Sequence, residues 1–387
     1  MQKLDNYLKN KPIFYKKIDY ARFPRAFESV KEHLGLKNVA QVVGTNGKGS
    51  TGRFLAQILE TTGAKVGHYT SPHIFKFNER FYLNGRDAID AELENAHEFL
   101  QEILSDEFKT SLSYFEYATL LAGILFKECD YCIFEAGMGA EFDATSQFNK
   151  KLSLFTPIGT DHIPMLGSNL EEISHTKLIN MAKNAILNDD MNKVSVKIAK
   201  QIAEKNETNL KFANEFLSEF DKNEIQKYIE KQGYADFQIS NLTLAYAGAK
   251  FFNKNINLAN LEKLKMHGRL EKITPNLTID VGHNELAAEA ILKEFAGQKV
   301  VLIYNAFADK DIRAIFEILK PILKRVEIFD YDSDERELGG EKITEILDGF
   351  KIPHTKFTNL QKDENYLVFG SFYLVENFLK FYKKGKF

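Results

Sequence analysis

The chain has 387 residues, 44% of them hydrophobic and 27% charged, the composition of an ordinary globular protein with room for two domains. A formal net charge of −3 gives no general attraction for nucleic acid or an anionic membrane, so any handling of phosphate has to be local. No run approaches the roughly 18 uninterrupted apolar residues of a membrane span, and Met1-Gln2-Lys3-Leu4-Asp5-Asn6 lacks a signal-peptide core, so a cytoplasmic protein is expected.

Residues 4–36 read as helix in pieces, with Phe14, Ile18, Phe23, Phe27, Val30 and Leu34 at core-like intervals and Pro24 breaking the run. The β-branched stretch Val39-Ala40-Gln41-Val42-Val43 then gives way to Gly44, Gly47 and Gly49 around Lys48, and apolar spacing resumes at Phe54, Leu55, Ile58 and Leu59. This is a strand, a phosphate loop and a helix. Glycines let backbone N–H groups face an anion, the helix N-terminus adds its positive dipole end, and Lys48 supplies a full charge. Ser50 or Thr51 is then in place to touch a metal ion. The spacing departs from G-x-x-x-x-G-K-[ST], because Val42 stands at the first glycine position and Gly49 separates the lysine from the hydroxyls.

Beyond the loop, residues 63–69 form a short strand running into Thr70-Ser71-Pro72-His73, where Pro72 makes a rigid corner. Asn78-Glu79-Arg80 falls in a polar loop, and residues 91–104 form an amphipathic helix. Ser113 to Tyr117 opens an almost wholly apolar helix, and Glu116 at its edge needs a partner. Cys129 and Cys132 make a C-x-x-C, but no second pair completes a zinc site and the pair lies in a strand pattern, so it receives no redox or metal role.

A buried strand over 131–134 ends in Glu135 and the turn Gly137-Met138-Gly139, and a second over 152–155 ends in Thr156 to His162. Both place an acid or a histidine at the carboxyl end of a strand, where open α/β sheets bind ligands. Carboxylate and imidazole both suit a divalent ion, although Mg²⁺ favours oxygen. Residues 200–231 read as a solvated helical surface, and 241–247 as a helix of small and apolar residues. After a turn-like junction at 266–271, a fresh β-α series begins at 277–284, with strands at 300–304, 326–329 and 366–369. This second α/β segment has no phosphate loop, so Asp280 and His283 at its strand end are expected to contribute to a shared site.

Taken in order, these motifs resemble the Mur ligase superfamily, and specifically its folylpolyglutamate synthase/dihydrofolate synthase branch, over nearly the whole chain. Gly44-Thr45-Asn46-Gly47-Lys48-Gly49-Ser50 matches the family's phosphate loop. Thr70-Ser71-Pro72-His73, Asn78-Glu79-Arg80 and Phe115-Glu116 look like the folate branch in particular. Glu135-Ala136-Gly137-Met138-Gly139, Asp143-Ala144-Thr145, Asp161-His162, Lys177, Gly268-Arg269, Asp280 to Asn284, Asp309-Lys310-Asp311 and Gly370-Ser371 fall in the family's order.

The resemblance implies an α/β fold: a P-loop ATP-binding domain with a central, mostly parallel sheet over 1–266, and a smaller Rossmann-like domain over 267–387. It implies an ATP-dependent amide ligase of folate biosynthesis, adding L-glutamate to dihydropteroate and to reduced folates through an acyl phosphate. ATP and Mg²⁺ are the implied cofactors. Thr45, Asn46, Gly47, Lys48, Gly49, Ser50, Thr51, Asn241, Arg269, Asp280 and His283 would hold ATP, and Ser71, Glu135 and His162 the metal. Lys48, Glu135, His162 and Lys177 would carry the chemistry, with Lys177 carbamylated. The implied protein is a monomer with no nucleic-acid or membrane partner. Gly139-Ala140-Glu141 stands where the family has Gly-Gly-Arg, and Thr176-Lys177-Leu178-Ile179 where it has Glu-Lys-Ala-Gly. The competing readings are a ligase of the same superfamily acting on a cell-wall peptide precursor, and a P-loop NTPase of another class.

Overall fold

The computed structural model describes residues 2–12, 19–161, 163, 165–256, 258–308, 310–332 and 337–385. The chain divides into two compact units, residues 1–233 with 238–264, and residues 234–237 with 265–387.

In the first unit, β1 (Val39–Val43) is buried at every position. The reason is its place: β5 (Tyr131–Glu135) and β6 (Lys150–Phe155) pair with it in parallel on either side, so both of its faces are covered and the strand is apolar without alternation. The sheet extends through β2 (Val66–Tyr69), β3 (Phe81–Leu83) and β4 (Arg86–Asp87) on one side and β7 (Asn184–Leu187) and β8 (Asn209–Phe212) on the other, in the order β4-β3-β2-β5-β1-β6-β7-β8. Only β3 runs against the others, so its pairings with β2 and β4 are antiparallel. Phe126, Phe134 and Phe148 belong to one apolar cluster against this sheet, and Val43, Phe155, Ile173 and Leu187 to another.

Two expectations change. Pro24 does not interrupt a helix; it is the third residue of Arg22–Val30, where its missing N–H is one that an α-helix leaves unbonded in any case. Phe14 and Ile18 lie outside the described residues. The stretch 200–231 is not simply a solvated helical face: it contributes β8, a four-residue edge strand hidden between charged helices. It also contributes buried Asp221, which accepts Tyr246 Oη at 2.9 Å and pairs with Lys250. Glu116 finds the partner it needs: Arg22 grips its carboxylate through Nε at 3.1 Å and Nη2 at 2.8 and 2.9 Å.

The second unit is built on β9 (Glu271–Thr274), β10 (Leu277–Asp280), β11 (Val300–Tyr304), β12 (Leu323–Ile328), β13 (His354–Lys356) and β14 (Tyr366–Phe369). Their order is β13-β12-β11-β14-β10-β9, parallel except for β9. Leu302, Phe316, Ile343 and Leu367 belong to its core. β9 and β13 were not legible in the sequence, because three or four half-exposed residues carry almost no periodicity.

Candidate active site

The phosphate loop follows β1 directly, and its glycines have local reasons. A Cβ on Gly44 would collide with the hydroxyl of Thr156, which follows β6. Gly47 opens the helix Lys48–Glu60 at φ +85°, in the left-handed region. Thr45 ties the loop to the end of β6: its N–H donates to Pro157 O at 3.0 Å, and its Oγ1 donates to Gly159 O at 3.1 Å and accepts Gly159 N at 3.0 Å. The hydroxyls of Ser50 and Thr51 are buried and bond to no described residue. Lys48 Nζ donates to Thr45 O at 3.1 Å and lies 3.9 Å from Glu135 Oε1. A buried pair of unsatisfied hydroxyls is costly in a finished protein. Beside a lysine and a glycine loop, it marks a place built for a polyanion with its metal ion.

Glu135 closes β5, and its Oε2 accepts Thr70 Oγ1 and, at 3.2 Å, the Ser71 N–H. The peptide joining Ser71 to Pro72 is cis. The structure thus brings Ser71 and Glu135 together and sets Glu135 facing Lys48. His162 lies outside the described residues. The turn after Glu135 is held by a residue that the reading of single residues passed over. Buried Asp143 accepts the N–H groups of Gly137 at 2.9 Å and Met138 at 3.1 Å on one oxygen, and Thr145 N at 2.9 Å and Thr145 Oγ1 at 2.5 Å on the other. Gln41, inside β1, in turn donates to Thr145 Oγ1 at 2.8 Å. The available signal was an acid shortly after a glycine turn, followed by a threonine.

Lys177 is buried on the helix Leu170–Leu178, in line with Ile173, and does not reach solvent. Its Nζ donates to Gly44 O at 2.9 Å, which places it against the phosphate loop. Burial first, and then the charge of Lys48, lowers its pKa to about 7, against the pull of Asp161 and Asp143. The preceding residue's carbonyl, Thr176 O, accepts the N–H groups of Ala140 and Glu141, each at 3.1 Å. The two segments that depart from the family pattern are therefore joined to each other, and the side chain of Glu141 points to solvent.

Asn241 lies on the helix Phe237–Phe252 with its side chain packed on Gly47. In the second unit, Asp280 ends β10, and its two oxygens accept Leu270 N at 2.9 Å and Gly282 N at 2.7 Å. Arg269 lies over the Phe372 ring at 5.2 Å. His283 Nδ1 is 3.2 Å from Val281 O, and Asn284 caps the helix Glu285–Glu294. Asp309 lies outside the described residues. Cys129 and Cys132 are free, buried thiols, with Cys129 pushed up to about 12 by burial and Cys132 higher still.

A parallel sheet whose strand ends carry a glycine loop, a lysine and an acid defines a nucleotide-using α/β enzyme. Residues 42–261, more than half of the chain, match the Mur ligase middle domain, and the chain belongs to that family. It is similar to the folylpolyglutamate synthetase of Helicobacter pylori, with 39% identity, 98% of each chain covered and a TM-score of 0.79. It is 28% identical over 413 residues to the dihydrofolate synthase/folylpolyglutamate synthase of Haemophilus influenzae, covering 91% of each. The bifunctional enzyme of Yersinia pestis, whose structure holds AMPPNP and a Mn ion, shares the fold at 22% identity, a TM-score of 0.79 and coverage of 99% and 98%. The two-domain α/β expectation is met, and the chain is an ATP-dependent ligase of the folylpolyglutamate synthase/dihydrofolate synthase branch. Among the described residues no helix is long and apolar enough to cross a membrane.

Proposed function

We propose that the protein joins L-glutamate to a pterin carboxylate at the expense of ATP, acting both on dihydropteroate and on reduced folates. The observation that carries this reading is the pair of buried, unbonded hydroxyls of Ser50 and Thr51 beside Lys48, with Glu135 facing the lysine at 3.9 Å. The names of the relatives supply the substrates. On this reading the loop N–H groups and Lys48 take the phosphates and neutralise their charge, which is most of what phosphoryl transfer to a carboxylate asks of a protein. The activated carboxylate is an acyl phosphate, and the glutamate amine displaces the phosphate.

Glu135 and Ser71 offer the oxygen donors that a hard divalent ion prefers, with His162 as the further candidate; such an ion would offset charge on the transferred phosphate. Thr70 and the Ser71 N–H orient the Glu135 carboxylate, and Asp143 holds the turn behind it. Arg269, Asp280 and His283 are proposed as ATP contacts of the second unit, which we assign to completing the ligase. Lys177 is proposed to act as its carbamate. Its lowered pKa leaves a substantial neutral fraction at physiological pH to react with CO₂, and the product carboxylate would offset the charge of Lys48.

The deciding measurement is ADP release with and without dihydropteroate and glutamate. Turnover that needs both supports the reading, and hydrolysis indifferent to both overturns it. Profiling dihydropteroate, a reduced folate and a muramoyl peptide precursor as acceptors then fixes the substrate. Product from the last alone would make this a cell-wall ligase.

A further inference from the structure

Behind the helix that carries Lys177 lies a second amine to which the site as described gives no task. Lys150 opens β6, opposite Val39 of β1. Its Nζ donates to two backbone carbonyls, Asn180 O at 2.9 Å and Ser146 O at 3.4 Å, and pairs with no carboxylate among the described residues. Asn180 lies in the turn that follows the helix Leu170–Leu178, and Ser146 in the short helix Ala144–Gln147 that Asp143 caps. The same two residues meet at a third point: Asn180 Nδ2 and Ser146 Oγ both donate to Ala140 O, at 3.4 and 2.7 Å.

The last four carbonyls of an α-helix have no intrahelical partner, and the last turn is where a helix opens most easily. Lys177 stands in the last turn of a helix nine residues long, close before Asn180, and it is from this turn that its Nζ reaches Gly44 O at 2.9 Å. A cation just past the end of the helix also meets the negative end of its dipole. Asp143 belongs to the same junction. Burial lowers the pKa of Lys150 to about 8 and that of Lys177 to about 7, and the charge of Asp143 opposes the change at both.

We infer that Lys150 is a positioning residue for Lys177: its amine fastens the turn that ends the Lys177 helix to the segment capped by Asp143, so that Lys177 is held against the phosphate loop at Gly44. The inference rests on the role of Lys177 proposed above.

The test is a double-mutant cycle on kcat in acceptor- and glutamate-dependent ADP release: parent, Lys150→Met, Lys177→Ala and the two together. Lys150→Met keeps an apolar stem and loses the donor, so kcat falls about tenfold, the worth of one hydrogen bond, while KM for ATP stays within about twofold. Lys150→Arg keeps a cation for the two carbonyls and returns most of the activity. In the Lys177→Ala background, Lys150→Met lowers kcat no further, because no amine is left to place. A merely structural role would lower kcat by the same factor in both backgrounds. That result, or a parental kcat in Lys150→Met, overturns the inference while the ligase reading stands. Should Lys150→Met fail to fold, the cycle is run with Lys150→Gln, whose shorter neutral arm does not span both carbonyls. If Lys177→Ala turns over like the parent, or the parent shows no acceptor-dependent turnover, the reading above fails, and crystal structures of the parent and Lys150→Met then decide the inference alone. Lys177 Nζ withdrawn from Gly44 O supports it, and the contact kept overturns it.

Discussion

Glu135 and Asp280 occupy the same kind of place, the last residue of a parallel strand, one in each unit, yet their surroundings differ. Both oxygens of Asp280 are taken up by their own neighbourhood, Leu270 N and Gly282 N. Leu270 stands at φ +48°, in the left-handed region that a leucine enters only under constraint, so this carboxylate secures a strained turn next to Arg269. At Glu135 one oxygen accepts Thr70 and Ser71, while the other faces Lys48 at a distance too long for a direct hydrogen bond, 3.9 Å. Shortly after that lysine in the chain, the hydroxyls of Ser50 and Thr51 are buried and bond to no described residue. An acid at a strand end is therefore not informative by itself. Asp280 spends one acceptor position of each oxygen on its own turn and offers a ligand only those that remain, whereas one Glu135 oxygen faces Lys48 at 3.9 Å, beyond hydrogen-bond reach.

The largest expected effect tests that contrast. Glu135→Gln keeps an acceptor for Thr70 and Ser71, so thermal unfolding should stay near the parent's while kcat falls roughly 100-fold or more. A drop in stability with normal turnover would reverse the comparison. Asp280→Ala, by contrast, should show in stability: stranding the Leu270 and Gly282 N–H groups costs about 1–3 kcal/mol, measured by urea unfolding. An Asp280→Ala protein as stable as the parent would remove the structural role assigned to this acid.

Lys177 sharpens the picture through pH. An unfolded lysine keeps its proton to about 10.5, whereas folded Lys177 gives it up at about 7, so burial penalises folding while the unfolded chain still holds that proton. The penalty is fully present below about pH 7 and fades as pH rises toward 10.5. In CO₂-free buffer, Lys177→Met should therefore unfold at a higher temperature than the parent near pH 7, and the gap should close as pH rises. A gap independent of pH would mean that the buried amine is not what titrates. In turnover, Lys177→Ala should lose most activity and recover part of it with a small carboxylate added. Full activity of that variant without bicarbonate would dismiss the carbamate.

The smallest effect is expected at Cys129 and Cys132. Both thiols are buried and their pKa values are pushed upward, so serine at either position should leave turnover unchanged, and the native protein should resist thiol reagents. Rapid loss of activity on alkylation would show a reactive cysteine that the structure does not account for.

By itself the sequence determined β1, the phosphate loop and its helix, because a β-branched run, three glycines and a lysine leave little choice of local structure. It also determined the strand ends at Glu135 and Asp280, and the need of Glu116 for a cation, since burying a carboxylate without one is costly. Which cation was a tertiary decision: Arg22 is 94 residues away and reaches Glu116 only in the folded chain. The same holds for the four bonds that give Asp143 its task, and for the contact between Lys177 and Gly44, which spans 133 residues. The short strands β8, β9 and β13 exist because a neighbouring strand offers them a paired edge. Local chemistry fixes what a segment is able to become, but hydrogen bonds and charges between distant segments have no period in the sequence, and only the packed chain decides which of them are made.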